Sequence, residues 1–138
     1  MVASVPYDTM NNQLQSVLQD NLTSTGHVED CAIFTRKDVA LRACSSGFML
    51  TEKEMQDLEN AFHDCSETRT NGINLKDVHY KIIRADKYSI YGKKDKQGIV
   101  LTKTATLILL SLFSEDMYPG VCVEATEKLS DYLREKGK

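Results

Sequence analysis

The chain has 138 residues, 41% of them apolar and 27% charged, the size and make-up of one ordinary globular domain, which excludes a disordered chain. The formal charge of −3 is too small to say anything about partners, and no nucleic-acid partner is expected. In chain order, the first ten or so residues, with Pro6 among them, read as a loose extension, and residues 1–11 are set apart from a domain over 12–138. From Asn11 the apolar residues Leu14, Val17, Leu18 and Leu22 recur at helical spacing, and Thr23-Ser24-Thr25-Gly26 stops that helix. Residues 28–35 predict a strand, 36–38 a turn and 39–44 its hairpin partner. Thr51 with Glu54 forms a capping box ahead of a second helix, whose apolar face is Met55, Leu58, Ala61 and Phe62.

Asn71-Gly72 supplies a turn, and strand-like runs follow at 77–85, 88–93 and 98–103, the last two joined by a turn over 94–97 that ends at Gly98. Residues 106–113 are apolar on both alternating faces, Leu107, Leu109 and Phe113 on one and Ile108, Leu110 and Leu112 on the other. That pattern belongs to a central strand covered on both sides. After Pro119-Gly120 a last helix carries Cys122, Ala125, Thr126, Leu129, Tyr132 and Leu133 on one stripe and charged residues opposite. The order predicts an α+β domain with a central antiparallel sheet between helices.

Charge is unevenly spread. Residues 76–103 hold eight Lys/Arg against three Asp/Glu, inside a chain that is otherwise acidic. Such a block marks a candidate surface for an acidic protein or anionic lipid, unless alternating strands turn these lysines to unrelated faces. Cys31, Cys44, Cys65 and Cys122 show no CxxC pair and no metal-ligand spacing, which predicts free structural thiols in a reducing cytoplasm. Residues 1–10 lack the features of a signal peptide, and the longest apolar run, 105–113, is too short to span a bilayer. A soluble cytoplasmic protein without a transmembrane segment is expected. His27, His63 and His79 are scattered, Asp86 and Asp95 form no spaced carboxylate motif, and Gly92-Lys93-Lys94 lacks the flanks of a phosphate loop. No enzyme, metal or cofactor is expected.

Tyr80-Lys81-Ile82-Ile83-Arg84, Ser89-Ile90-Tyr91-Gly92-Lys93-Lys94, Gly98, Lys103-Thr104 and the ending Leu129-Ser130-Asp131-Tyr132-Leu133 follow one another in an order and spacing that resembles the profilin family. The resemblance covers about residues 12–138. Met117-Tyr118-Pro119 and the helix after it are similar to the divergent fourth vertebrate type rather than the general first type. It implies a profilin-like fold, with the N- and C-terminal helices packed on one sheet face and short helical elements on the other. It also implies a non-enzymatic, monomeric cytoskeletal regulator with surfaces for monomeric actin, proline-rich segments and phosphoinositides.

Carried over by position, the implied actin surface falls on Arg84, Lys93, Lys94, Tyr118, Gly120, Glu124 and Glu127. Glu124 stands where the family commonly has a lysine and Glu127 where it has an aromatic, which predicts weakened actin binding. The implied phospholipid surface falls on Lys81, Arg84, Lys93, Lys94 and Lys96, with Lys81 and Arg84 on opposite sides of their strand unless a bulge intervenes. The implied polyproline surface falls on Leu14, Val17, Arg42 and Tyr132, with Lys138 at a further aromatic position. The chain has no Trp, so one aromatic is left, Tyr132 reads as packing along the helix stripe, and proline-rich ligands are not expected. The alternative is a diverged profilin that works mainly on acidic phospholipids or another protein.

Overall fold

The computed structural model describes the backbone of residues 5–138 and side chains from Gln13 onward. The elements are α1 (Val5–Asn21), β1 (Asp30–Thr35), β2 (Leu41–Cys44), α2 (Glu52–Ala61), α3 (Cys65–Asn71), β3 (Ile73–Leu75), β4 (Val78–Ala85), β5 (Ser89–Lys94), β6 (Gln97–Lys103), β7 (Leu107–Phe113) and α4 (Pro119–Glu135). The helix expected from Asn11 therefore begins at Val5, so part of the segment read as a loose extension is the first turns of α1. A helix can start there because Pro6 sits in its first turn, where a missing N–H and a fixed φ cost nothing. At its other end a 3-10 turn, Thr23–Thr25, and Gly26 at φ 76° stop the chain.

Seven antiparallel strands run in the order β2-β1-β7-β6-β5-β4-β3. Helices α1 and α4 cover one face, with Leu14, Leu18, Leu22, Cys122, Leu129 and Leu133 packed on Ile33, Val100, Leu107, Leu109 and Phe113. Phe48, Leu50, α2 and β3 cover the other face against Phe34, Ile90, Ile99, Leu101, Ile108 and Leu110. The double-faced pattern of 106–113 thus places β7 inside the sheet, and each fully buried Leu or Ile there contributes roughly 1.5–3 kcal/mol. The capping box at α2 is made in both directions: Glu54 N–H donates to Thr51 Oγ1 (3.1 Å) and Thr51 N–H to Glu54 Oε1 (2.8 Å).

Two local readings are corrected. Asn71-Gly72 closes α3, a short helix with little apolar periodicity, held by Asp64 accepting from Glu67 N–H (3.1 Å). The loop joining β5 to β6 is only Asp95-Lys96, with Asp95 at φ 54°, because Lys94 pairs with Gln97. Lys94 and Gln97 are accordingly strand residues, alongside Gly92, Lys93 and Gly98, which the predicted strands already held.

The free edge at β2 is blocked by a side chain. Gln15 Nε2 donates to Cys44 O (2.8 Å) and Gln15 Oε1 accepts from Cys44 N–H (3.1 Å), so an amide on α1 takes the place of a neighbouring strand. Cys31 and Cys122 are free and fully buried between helices and sheet. Burial pushes the Cys31 thiol up to about 11 and the Cys122 thiol up to about 12. Both values lie above those of an unfolded thiol, so the stability they contribute is complete below pH 9 and is lost progressively as pH rises from 9 to 11–12. Chemical denaturation at pH 8.5 and 10.5 is expected to show a loss of roughly 2 kcal/mol for each thiol, about 4 kcal/mol together, with about half of it left in Cys122→Ala; a flat profile would refute this.

Candidate functional site

The candidate surface lies on the α4 side of the sheet, where α4 reaches Ser89 and Tyr91 of β5 but leaves Lys81, Ile83 and Arg84 of β4 exposed. Strand β4 carries a bulge there. Its partners on β5 run Lys81↔Lys93, Ile82↔Gly92, Arg84↔Tyr91 and Ala85↔Ile90, with Ile83 the extra residue. The bulge resets alternation by one, so Lys81 and Arg84, which would otherwise oppose each other, share a face with Lys93 and Tyr91. Tyr80, Ile82, Ala85 and Ile90 turn the other way, into the α2-side core. Ile83, the extra residue, is 68% exposed, an apolar anchor among cations.

Arg84 is oriented by its surroundings. Its Nε and Nη2 donate to Asp86 Oδ2 (3.1 and 2.9 Å), and its guanidinium carbon lies 5.4 Å from the centre of the Tyr91 ring. The other Asp86 oxygen accepts from the N–H groups of Tyr88 and Ser89, both at 2.9 Å, which locks the turn from β4 to β5. Partial burial works to raise the Asp86 carboxyl, but those N–H groups and Arg84 outweigh it and hold it below the usual carboxylate range. Asp86 in turn raises the Arg84 guanidinium.

Helix α4 lines the site with the stripe Gly120, Glu124 and Glu127, at i, i+4 and i+7. The reading of Glu127 as a lost surface anchor is corrected in part. It is half-buried, and its Oε2 accepts from Ser89 Oγ (2.7 Å) and from the Tyr91 hydroxyl. Glu124 is exposed and paired with Lys128 (2.9 Å), which holds its carboxyl below the usual range. Gly120 opens onto empty space: nothing lies within 4 Å of where a Cβ would stand. Tyr118, the N-cap of α4, is 69% exposed and stacks on His27 at 5.0 Å, while its N–H donates to His27 Nδ1 (3.0 Å). Neither His27 nor Tyr91 was singled out from sequence, since their partners lie 91 and 36 residues away.

The remaining basic candidates separate. Lys94, next to Lys93, points to the opposite face by alternation, and Lys96 pairs with Glu115 (3.2 Å). Lys81, Lys93 and Arg84 are therefore the cations that the fold brings together.

The polyproline positions lie elsewhere on the same side, along α1, β2 and α4. Leu14 is buried and Val17 half-buried against the helix-side core. Arg42 pairs with Asp38 (3.2 Å). Tyr132 does not pack along the α4 stripe as expected. It is 44% exposed with Lys136 Nζ 5.4 Å from its ring centre, and Ser130 takes the buried place, bonded to Thr102. A backbone bond from Thr106 N–H to the Lys138 carbonyl (3.2 Å) holds the position of the missing second aromatic.

Among the described residues no His/Cys/Asp/Glu group has metal-binding geometry, and no helix is long and apolar enough to cross a membrane. The Profilin family model matches residues 12–138. Profilin-4 of Bos taurus is 42% identical over 127 residues, covering 91% of this chain and 98% of that protein. The crystal structure of Acanthamoeba castellanii profilin II superposes with a TM-score of 0.83 at 38% identity, over 90% of this chain and 98% of that one. Mouse profilin IIa, solved in complex with a double repeat from the FH1 domain of mDia1, shares the fold at a TM-score of 0.69 and 20% identity, over 86% of this chain and 95% of that one.

Proposed function

The chain belongs to the profilin family and is not an enzyme, and on that premise we propose that it is a cytoskeletal regulator that binds actin monomers through the β4–β5 face and the outward stripe of α4. The β4 bulge carries this reading. It gathers Lys81, Arg84 and Lys93 around exposed Ile83, and a charged rim about an apolar anchor is the layout of a protein-docking surface. Tyr118 and Gly120 extend it along the start of α4. The affinity is weakened relative to a profilin with a lysine at position 124, because Glu124 replaces attraction with an acid that Lys128 only partly offsets. Glu127 takes no part in that weakening, since its carboxylate is bonded inward. The protein acts as a monomer in the cytoplasm, with residues 12–138 as the profilin domain and residues 1–11 as an added segment. Spontaneous actin assembly slows as the protein is added in molar excess; no effect at a large excess overturns the reading.

A second reading, phosphoinositide binding, is favoured by the same bulge, because membrane attachment needs clustered cations and Lys81, Arg84 and Lys93 supply them. Each is worth about 1 kcal/mol near an anionic surface, so Lys81→Ala with Lys93→Ala is expected to cut binding to phosphoinositide vesicles, read by flotation, roughly 30-fold. Binding that ignores lipid charge and salt discards it. Proline-rich ligands are poorly served by Leu14, Val17, Arg42 and an exposed Tyr132 with no second aromatic stacked on it among the described residues, so a polyproline column is expected not to retain the protein; retention like that of an ordinary profilin refutes this.

A further inference from the structure

We propose that Glu127 is a positioning residue, acting through Tyr91 to hold the Arg84 guanidinium outward toward a bound protein; the use of that arginine rests on the actin reading above. Three contacts in series carry this. Glu127 Oε2 accepts from Ser89 Oγ (2.7 Å) and from the Tyr91 hydroxyl, which fixes the phenol ring on the α4 side of β5. The Arg84 guanidinium lies over that ring at 5.4 Å, attracted by its negative face. A hydroxyl that donates to a carboxylate leaves its oxygen and ring richer in electrons, so Glu127 strengthens the hold of Tyr91 on Arg84 as well as aligning it. Asp86 grips Nε and Nη2, and Nη1 makes no hydrogen bond among the described residues. Its N–H groups are left for a partner.

The same contact acts on the phenol: burial and then the Glu127 carboxylate push Tyr91 up to about 12. Glu127 reaches across from another element, so it could instead serve only to pin α4 to the sheet. The two roles differ in whether its loss is felt at Arg84.

Two measurements decide. In NMR spectra the Arg84 Nε–Hε signal is expected to be sharp and slowly exchanging in the wild type, and to broaden in Glu127→Gln and in Tyr91→Phe. Tyr91→Phe keeps the ring and the carboxylate, and so serves if the first variant folds poorly. In an actin-monomer titration, Glu127→Gln is expected to weaken binding about 5–10-fold in the wild-type background and less than 2-fold when combined with Arg84→Leu. An unchanged Arg84 signal, or the same fold-loss in both backgrounds, overturns the proposal. If the wild type binds no actin, the actin reading fails by itself, and the Arg84 signal still decides whether Glu127 positions it.

Discussion

Gly98→Ala is expected to lower the unfolding free energy by about 3 kcal/mol or more, read by urea denaturation at neutral pH. Gly98 pairs across the sheet with Phe113, and a Cβ there would stand 2.2 Å from the Phe113 ring and 2.8 Å from the Gly92 carbonyl oxygen. Neither neighbour can give way. The ring is wedged in the helix-side core beside Leu109 and Val100, and the carbonyl belongs to a strand whose register is set on both sides. The usual escape of a surface glycine, a small backbone shift, is closed because β6 lies between β5 and β7. Gly120→Ala makes the contrast: with nothing within 4 Å, it is expected to leave stability within about 0.5 kcal/mol of wild type. Equal losses for the two variants would refute the steric account.

Arg84→Ala is expected to weaken binding to monomeric actin about 30-fold or more, the effect of removing an interface arginine worth about 2 kcal/mol, while unfolding is nearly unchanged. The fold tolerates the loss because the side chain is 57% exposed and its ion pair with Asp86 is a surface pair, worth at most about 1 kcal/mol. Asp86 keeps its two backbone bonds, so the turn that presents β5 survives. Lys53→Ala, on α2 at the opposite face and 83% exposed, removes the same charge and is expected to leave binding unaltered. Equal losses from both would reduce the interaction to net charge, and no loss from Arg84→Ala would remove the β4–β5 face from the actin reading.

The polyproline positions show how far composition alone reaches. That the chain has no Trp is a property of the sequence, and it removes stacking surface in any fold. The place of Tyr132 is different. Helical periodicity put it on the buried stripe, but the stripe is narrower than the pattern suggests, because Ser130 is buried where its hydroxyl meets Thr102. A serine does not register as apolar, so the pattern closed on the nearest aromatic instead. Helix α3 was missed for a similar reason: its stability comes from the Asp64 cap and from Thr68 Oγ1 bonding to Ala61 O (2.7 Å), not from an apolar face.

By itself the sequence determined the architecture: two-sided hydrophobicity in residues 107–113 demands layers on both faces of a sheet, and the capping box at Thr51 fixes a helix start with local chemistry. It also determined which family the chain resembles and which aromatics it lacks. Only the tertiary structure decided the surface. Whether Lys81 and Arg84 share a face depends on one inserted residue in a strand pairing, and a pairing register is a relation between strands that neither carries alone. Glu127 depended on it too. From sequence it was an acid in the place of an aromatic; packed against β5 it is the acceptor for Ser89 and Tyr91, because a carboxylate half removed from water takes the donors within its reach.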